Sequence, residues 1–153
     1  MGPEERLREL GIGLPSPPQA LASYVPVVVS GSLAFVSGQV PLSEGRLLWS
    51  GKVGADLDVE AGAEAARRCA LQVMAALRAE LGSLDRVRRI VKLTVFVASA
   101  EGFTDQSKVA NGASDLFAEV FGEAGRHARA AVAAPELPLG APVEVEAIAE
   151  IEP

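Results

Sequence analysis

Hydrophobic and polar positions alternate with two different periods along this chain, and each period predicts a different kind of element. From Val59 to Leu81, apolar residues recur every three or four positions, which is typical of an amphipathic helix. Asp58 before this segment is suited to be its N-cap, and Gly82 after it is suited to end it. A second helix is predicted from Gln106 to Phe121.

Other segments are rich in Val, Tyr and Phe or alternate with a period of two, which favours strands. Residues 23–30 and 33–39 are separated by Ser30-Gly31-Ser32 and predict a hairpin. The further strands are predicted at residues 46–49, 90–97, 129–134 and 143–151. The resulting order, βββαβαββ, predicts an α/β (α+β) fold in which one mixed sheet is covered on one face by two helices.

The first residues carry a separate signal. Residues 3–10 place acidic residues early and apolar residues at Leu7 and Leu10, which predicts a short amphipathic helix with Pro3 in its first turn. The stretch 11–18 is rich in Gly and Pro and ends that helix. We therefore expect an N-terminal helical extension at residues 1–18 and a single domain at residues 19–153.

Composition and charge narrow the class of protein. With 14 Lys+Arg against 20 Asp+Glu, the net charge of -6 repels nucleic acid and anionic membranes at long range, so neither partner is expected. The apolar runs are too short for a membrane span of about 20 residues. The single cysteine cannot form an intramolecular disulfide, and the chain lacks the pattern of a secretory signal. A cytoplasmic location is expected.

Several kinds of site find little support. His127 is the only histidine, which excludes a site with two histidines, and no metal site is predicted. A Ser-His-Asp triad could use only His127, which we interpret as a surface histidine in an exposed loop because its neighbours are Gly125 and Arg126. Cys69 lies within the first long helix among alanines, which favours a small buried side chain over a nucleophile.

Two basic clusters, Arg67–Arg68 and residues 86–89, could contact RNA or lie on the solvated surface. Few aromatic residues lie near them, so the solvated surface is the favoured interpretation.

Three polar residues interrupt apolar strand surroundings, namely Tyr24, Arg129 and Glu144. The planar guanidinium of Arg129 suits a carboxylate ligand, but an ion pair with Glu144 or an exposed arginine explains it equally well. Tyr24 begins a predicted strand, where plain packing is the more common role of an aromatic ring. Glu144 could orient a water molecule or act as acid or base, or it could belong to a row of solvent-facing acids.

Five blocks of sequence, taken together and in order, resemble the Rid/YjgF family. They are AFVSGQVP at 34–41, VKLTVFV at 91–97, ARAAV at 128–132, LP at 137–138 and VEVEAIA at 143–149. The resemblance extends from about residue 24 to residue 151 and leaves the N-terminal extension outside it. It implies a chorismate-mutase-like fold and a homotrimer with three ligand sites in clefts between neighbouring subunits.

The resemblance also implies the reaction, which is hydrolysis of reactive enamines and imines such as 2-aminoacrylate. Ammonia and a 2-keto acid are released without any cofactor or metal. Position by position, Arg129 matches the arginine that holds the carboxylate of a small metabolite. Glu144 matches the glutamate that positions the attacking water, and Tyr24 matches the aromatic wall of the cleft.

Three more positions complete the implied site. Gly38 matches a glycine whose backbone approaches the ligand, and Asn111 falls near an asparagine of the family's helix. Ala131 stands where the family often has cysteine, serine or threonine, and it follows Ala130, so the cleft lacks polar side chains that many deaminating members carry. The stretch at residues 109–116 and the N-terminal extension indicate a divergent subgroup with a different substrate.

Three hypotheses of function follow. The first is a deaminase of enamines and imines, in which Arg129 anchors the substrate and Glu144 activates water. The second is a trimer that binds a keto acid without turnover. The third is an endoribonuclease or inhibitor of translation, a role named for some relatives, which the net charge of -6 disfavours.

Overall fold

The computed structural model describes residues 1–19 and 22–153 of the chain. Its helices are α1 (Pro3–Leu10), α2 (Val59–Leu81) and α3 (Gln106–Phe121). Its strands are β1 (Val27–Ser30), β2 (Leu33–Gln39), β3 (Leu42–Ser43), β4 (Arg46–Leu47), β5 (Val87–Ala98), β6 (Ala128–Ala134) and β7 (Val143–Ile151). The bounds of all three helices agree with the sequence prediction.

Five strands form the main sheet in the order β1-β2-β7-β5-β6. β5 and β6 are parallel, whereas the other neighbouring pairs are antiparallel, so the sheet is mixed as predicted. The tight β1-β2 turn contains Gly31 at a φ of 62°, a conformation that glycine adopts without strain. β6 is an edge strand, so one side of its backbone has no strand beside it within the described chain.

The two long helices cover one face of this sheet. The side chain of Asp58 caps α2 by accepting a hydrogen bond of 2.8 Å from the N–H of Ala61. α2 and α3 approach so closely that a Cβ at Gly112 would overlap the backbone carbonyl of Ala63. The other face of the sheet carries exposed apolar side chains, among them Phe35 at 41% and Val132 at 43% exposure.

The short helix α1 is docked on the rest of the chain rather than projecting from it. Leu7 is only 2% exposed and belongs to the same hydrophobic cluster as the sheet and the long helices. The Glu4 carboxylate accepts hydrogen bonds of 2.6 and 3.1 Å from Arg78 on α2, and one of 2.8 Å from the N–H of Leu84. Polar and apolar contacts therefore both fasten α1. The division of the chain at residue 18 stays a prediction.

Burial alone would raise the pKa of the Glu4 carboxyl. The hydrogen bonds from Arg78 and Leu84 favour the charged form, and together with the positive charges of Arg78 and Arg8 they hold this pKa below its usual range. Glu4 and Arg78 therefore form a structural ion pair.

Three predicted strands differ from the structure by more than one residue. β5 begins at Val87, three residues before its predicted start. The strand predicted at residues 46–49 does not join the main sheet: β4 pairs only with β3 in a separate two-stranded ribbon. Two-residue strands are too short to leave a periodic pattern. The first strand begins at Val27 rather than at residue 23, so Tyr24 lies in a bend before β1 instead of beginning it.

None of the helices in the described residues is long and apolar enough to cross a membrane.

Candidate functional site

Arg129 lies on the edge strand β6, and its side chain reaches over α3. In the β5–β6 pairing, Arg129 lies opposite Leu93, whose side chain faces the helices. Arg129 therefore projects from the helix-covered face of the sheet. Nη1 donates to Oδ1 of Asn111 at 2.8 Å and to Oγ of Ser114 at 3.0 Å, and Nη2 donates to the carbonyl of Ser107 at 3.4 Å. All three acceptors are neutral, so no carboxylate compensates the charge of Arg129 among the described residues.

The hydrogen bond from Arg129 places Asn111 in this site. Ser107 and Ser114, which sequence reasoning missed, share the same face of α3, because their spacings from Asn111 are four and three residues. That helical spacing was a signal for the Ser114 hydroxyl, whereas Ser107 contributes its backbone carbonyl, which no side-chain pattern indicates.

His127 corrects another expectation, since it is half-buried rather than exposed. Its Nδ1 lies 2.7 Å from the carbonyl of Gly125, and its Nε2 lies 2.8 Å from Oγ of Ser114. A carbonyl only accepts, so Nδ1 carries the proton and the neutral ring accepts from the Ser114 hydroxyl through Nε2. The Ser114 oxygen remains able to accept from Arg129. The hydroxyl therefore links the histidine to the arginine.

The neutral state of His127 has a physical cause. Burial lowers the pKa of the ring, the nearby charge of Arg129 lowers it further, and the hydrogen bond to Gly125 opposes both effects. The ring also packs edge-on against Phe117, with centroids 6.1 Å apart. Gly125 cannot carry a side chain here, because a Cβ would overlap the carbonyl of Phe117 on α3. The histidine is thus held from several sides.

Glu144 occupies a different region. It is half-buried on β7 beside Gly38, where a Cβ would overlap the Glu144 carboxylate. The pairing of β2 with β7 is irregular between Val36 and Gln39, which brings the backbone of Gly38 to this position. Burial raises the pKa of the Glu144 carboxyl above its usual range, and the charge of Glu146 adds to the effect. Gly38 and Glu144 are therefore neighbours, and the carboxyl takes up a proton more readily than an exposed glutamate.

Tyr24 and Gly38 line one cleft. This cleft has a volume of about 490 Å³ and is walled by residues 15–19, the start of the β3-β4 ribbon and the α2 side chains Arg68 and Gln72. Tyr24 is 47% exposed, so its ring is not part of the core. The role of Tyr24 as an aromatic wall for a ligand stays a prediction.

The structure does not bring Arg129 and Glu144 together within one chain. Glu144 is level with Phe96 of β5 and faces away from the helices, whereas Arg129 faces α3, and β5 lies between their two strands. No ion pair joins them among the described residues, which removes that alternative for Arg129. Ala131 projects from the same face as Arg129 and packs on the core with its small side chain.

Metal binding gains no support from these side chains. The described residues contain no group of three or more His, Cys, Asp or Glu side chains that could hold a metal ion. Cys69 is fully buried, as expected, and lies 3.6 Å from the carbonyl of Val143. Burial raises the pKa of its thiol well above the usual value, and the charge of Glu144 adds to the effect, so a reactive thiolate is disfavoured.

The fold and the arginine-centred cluster define a small α+β protein in which an arginine at the edge of a mixed sheet is held by neutral hydrogen-bond acceptors. A family model described as "YjgF/chorismate_mutase-like, putative endoribonuclease" matches residues 4–151. The chain belongs to this YjgF/chorismate mutase-like family. The match confirms the resemblance inferred from sequence and extends it to include α1.

Individual relatives agree with this assignment. The chain is 53% identical over 146 residues to the protein TCP17 of Trypanosoma cruzi, covering 95% of this chain and 91% of that protein. The structure of protein Atu1372 from Agrobacterium tumefaciens is similar with a TM-score of 0.91 and 48% identity, over 98% of this chain and 92% of the other. A Shewanella oneidensis MR-1 protein is described as "a putative endoribonuclease". Its structure is similar with a TM-score of 0.95 and 38% identity, over 99% of this chain and 100% of the other.

Proposed function

We propose that this protein hydrolyses reactive enamines and imines derived from amino acids, and that its site is formed between two copies of the chain in a homotrimer. The observation that carries the proposal is Arg129, whose guanidinium is oriented by neutral acceptors and keeps its positive charge. A guanidinium that is held in place and has no carboxylate partner suits a ligand carboxylate, which it can bind through two parallel hydrogen bonds.

Glu144 supplies the second element of the reaction. Water adds to the imine carbon while the Glu144 carboxylate accepts a proton from that water and passes it to the nitrogen. The resulting carbinolamine loses ammonia and leaves a 2-keto acid. The raised pKa of Glu144 supports this exchange, because a carboxyl that gives and takes a proton near neutral pH needs a pKa closer to that pH than usual.

The two groups require a second copy of the chain to meet. Arg129 and Glu144 face opposite sides of the sheet, so one chain cannot place both against a small ligand. β6 is an edge strand, and the sheet face that carries Glu144 also exposes the apolar side chains of Phe35 and Val132. A symmetric trimer would bury this surface and bring Glu144 of one subunit near Arg129 of the next.

A second candidate is a trimer that binds a keto acid without turnover. The small side chains of Ala130 and Ala131 favour it, because neither can donate a proton or polarise the imine nitrogen. An endoribonuclease role is suggested by the description of the Shewanella relative, but the net charge of -6 disfavours an RNA substrate. A cytoplasmic location stays a prediction.

To test this function, a dehydratase generates 2-aminoacrylate or 2-iminobutyrate in situ, and the rate of keto-acid release is measured. The wild-type protein is compared with Arg129→Ala and with Arg126→Ala, a matched control at an exposed arginine that pairs with Glu123. We expect acceleration by the wild type and by the control, and its loss in Arg129→Ala. Acceleration that survives in Arg129→Ala would refute the assigned role, and absence of acceleration in the wild type would favour the binding trimer.

A further inference from the structure

Arg68 is a second arginine whose surroundings are unusual. The sequence placed the Arg67–Arg68 pair on the solvated surface, but Arg68 is half-buried and lines the cleft of about 490 Å³ that contains Tyr24 and Gly38. Its Nε donates to the carbonyl of Leu42 on β3 at 2.7 Å. This bond holds the guanidinium against the ribbon, and neither terminal nitrogen bonds to another of the described residues.

No protein carboxylate neutralises Arg68. None of the ion pairs among the described residues includes it, whereas its neighbour Arg67 pairs with Glu119 at 3.7 Å. Glu44, an exposed residue of the tight turn between β3 and β4, also lines the cleft but forms no ion pair with Arg68. The guanidinium of Arg68 faces the cleft and forms no ion pair with the described residues, so an anion that enters the cleft can pair with it.

A buried amide lies beside this charge. Gln72 follows Arg68 by one helical turn of α2, is only 5% exposed and also lines the cleft. It makes no side-chain hydrogen bond within the described residues. Every fully buried side-chain nitrogen and oxygen among those residues has a partner, so the polar atoms of Gln72 are not fully buried. The side chain of Gln72 therefore reaches the cleft without a hydrogen-bond partner in the part of the chain that the structure describes. An amide and a guanidinium one turn apart can bind the same anionic group.

We infer that Arg68 and Gln72 form a subsite for a second acidic group of the ligand, so that the preferred substrate is an imine of a dicarboxylic 2-keto acid. This inference deepens the proposed function, on which it rests for the presence of the ligand in this cleft. One carboxylate lies on Arg129 of the neighbouring subunit, and the other extends along the cleft to Arg68. The second group is a carboxylate rather than a phosphate, because Arg68 is the only cationic side chain among the cleft residues described.

The test measures binding by calorimetry, so it does not depend on turnover. The probes are 2-oxoglutarate, which carries two carboxylates, and 2-oxobutyrate, which carries one. We expect the wild-type protein to bind 2-oxoglutarate about 10-fold or more tightly than 2-oxobutyrate, the gain of one well-formed charge-assisted pair. Arg68→Gln should reduce this preference to about one while leaving 2-oxobutyrate binding unchanged.

The choice of glutamine keeps the structural hydrogen bond. The Nε2 of glutamine occupies the position along the side chain of the arginine Nε, so it can still donate to Leu42 while the charged fork is removed. Arg67→Gln is the matched control on the adjacent position and should keep the full preference. If Arg68→Gln is poorly folded by thermal unfolding, Arg68→Lys, which keeps a charge without the fork, should bind 2-oxoglutarate with intermediate affinity.

Three results would overturn the inference. They are equal binding of the two keto acids by the wild type, an undiminished preference in Arg68→Gln, and binding of neither acid. Failure of this subsite is distinguishable from failure of the proposed function, because hydrolysis of 2-iminobutyrate needs only one carboxylate. Arg129→Ala should weaken both probes together, whereas Arg68→Gln should weaken only the dicarboxylate.

Discussion

Two arginines of this protein lie in contrasting surroundings. Arg78 on α2 meets the Glu4 carboxylate through two hydrogen bonds of 2.6 and 3.1 Å, and this pair fastens α1 to the rest of the chain. Arg129 on β6 is also held by several hydrogen bonds, but its partners are an amide, a hydroxyl and a carbonyl. The first arginine is neutralised and structural. The second is oriented without being neutralised, which leaves its charge for a ligand.

A carboxylate introduced beside Arg129 should abolish the difference between the two arginines. Asn111→Asp replaces the amide oxygen at 2.8 Å with a charged one, so Arg129 should become a structural ion pair like Arg78. We expect binding of 2-oxobutyrate to weaken by about 10- to 100-fold, because the protein carboxylate competes with the ligand. Calorimetric titration measures the change. Unchanged affinity would show that the charge of Arg129 is not what binds the ligand.

The reverse change removes the carboxylate from the structural pair. Glu4→Gln keeps an acceptor for the N–H of Leu84 but leaves Arg78 without a countercharge. We expect the free energy of unfolding to fall by about 1 kcal/mol, a modest loss because the Arg78 side chain is partly exposed. Urea unfolding measures this, and ligand affinity should stay at the wild-type value. A loss of affinity without a loss of stability would contradict the division of roles.

The smallest effect concerns His127. Its pKa in the folded protein is lowered by burial and by Arg129, so the unfolded chain binds the proton more readily. As pH falls from about 7.5 to 5.5, protonation of the unfolded state should reduce stability by less than about 1 kcal/mol. His127→Gln should remove this contribution, as measured by urea unfolding of both proteins at both pH values. Glu144, whose raised pKa favours the folded state as pH falls, contributes equally to the wild type and the variant, so their difference reports His127. Glu4 contributes only at lower pH, because its pKa is held below the usual range.

The parts of the fold that follow periodicity could be predicted from the sequence. The apolar spacing on α2 and the alternation on β7 predicted the bounds of those elements, and the bounds predicted for α3 were also correct. The β3-β4 ribbon could not be predicted in this way, because strands of two residues carry no period. Its position apart from the main sheet involves a tertiary contact, in which the Leu42 carbonyl accepts a hydrogen bond from Arg68 of α2.

The candidate site was predictable only where resemblance or helical spacing supplied the position. Resemblance indicated Asn111, and helical spacing from Asn111 could have indicated Ser114. Ser107 acts through its backbone carbonyl, which no side-chain pattern indicates. The contact between Ser114 and His127 joins a helix to the loop before β6 and follows from no local pattern. Arg68 was interpreted as a surface residue, because a pair of adjacent basic residues does not reveal which of the two faces a cleft.

The central claim is that Arg129 and Glu144 act on one ligand from different copies of the chain. Mixed trimers test it most directly, with Arg129→Ala and Glu144→Gln subunits co-expressed in equal amounts and purified together. Each variant alone should be inactive towards 2-iminobutyrate. In the mixture, about one quarter of the interfaces pair an intact Arg129 with an intact Glu144, so about one quarter of wild-type activity should return. Mixed trimers without recovered activity would contradict the account.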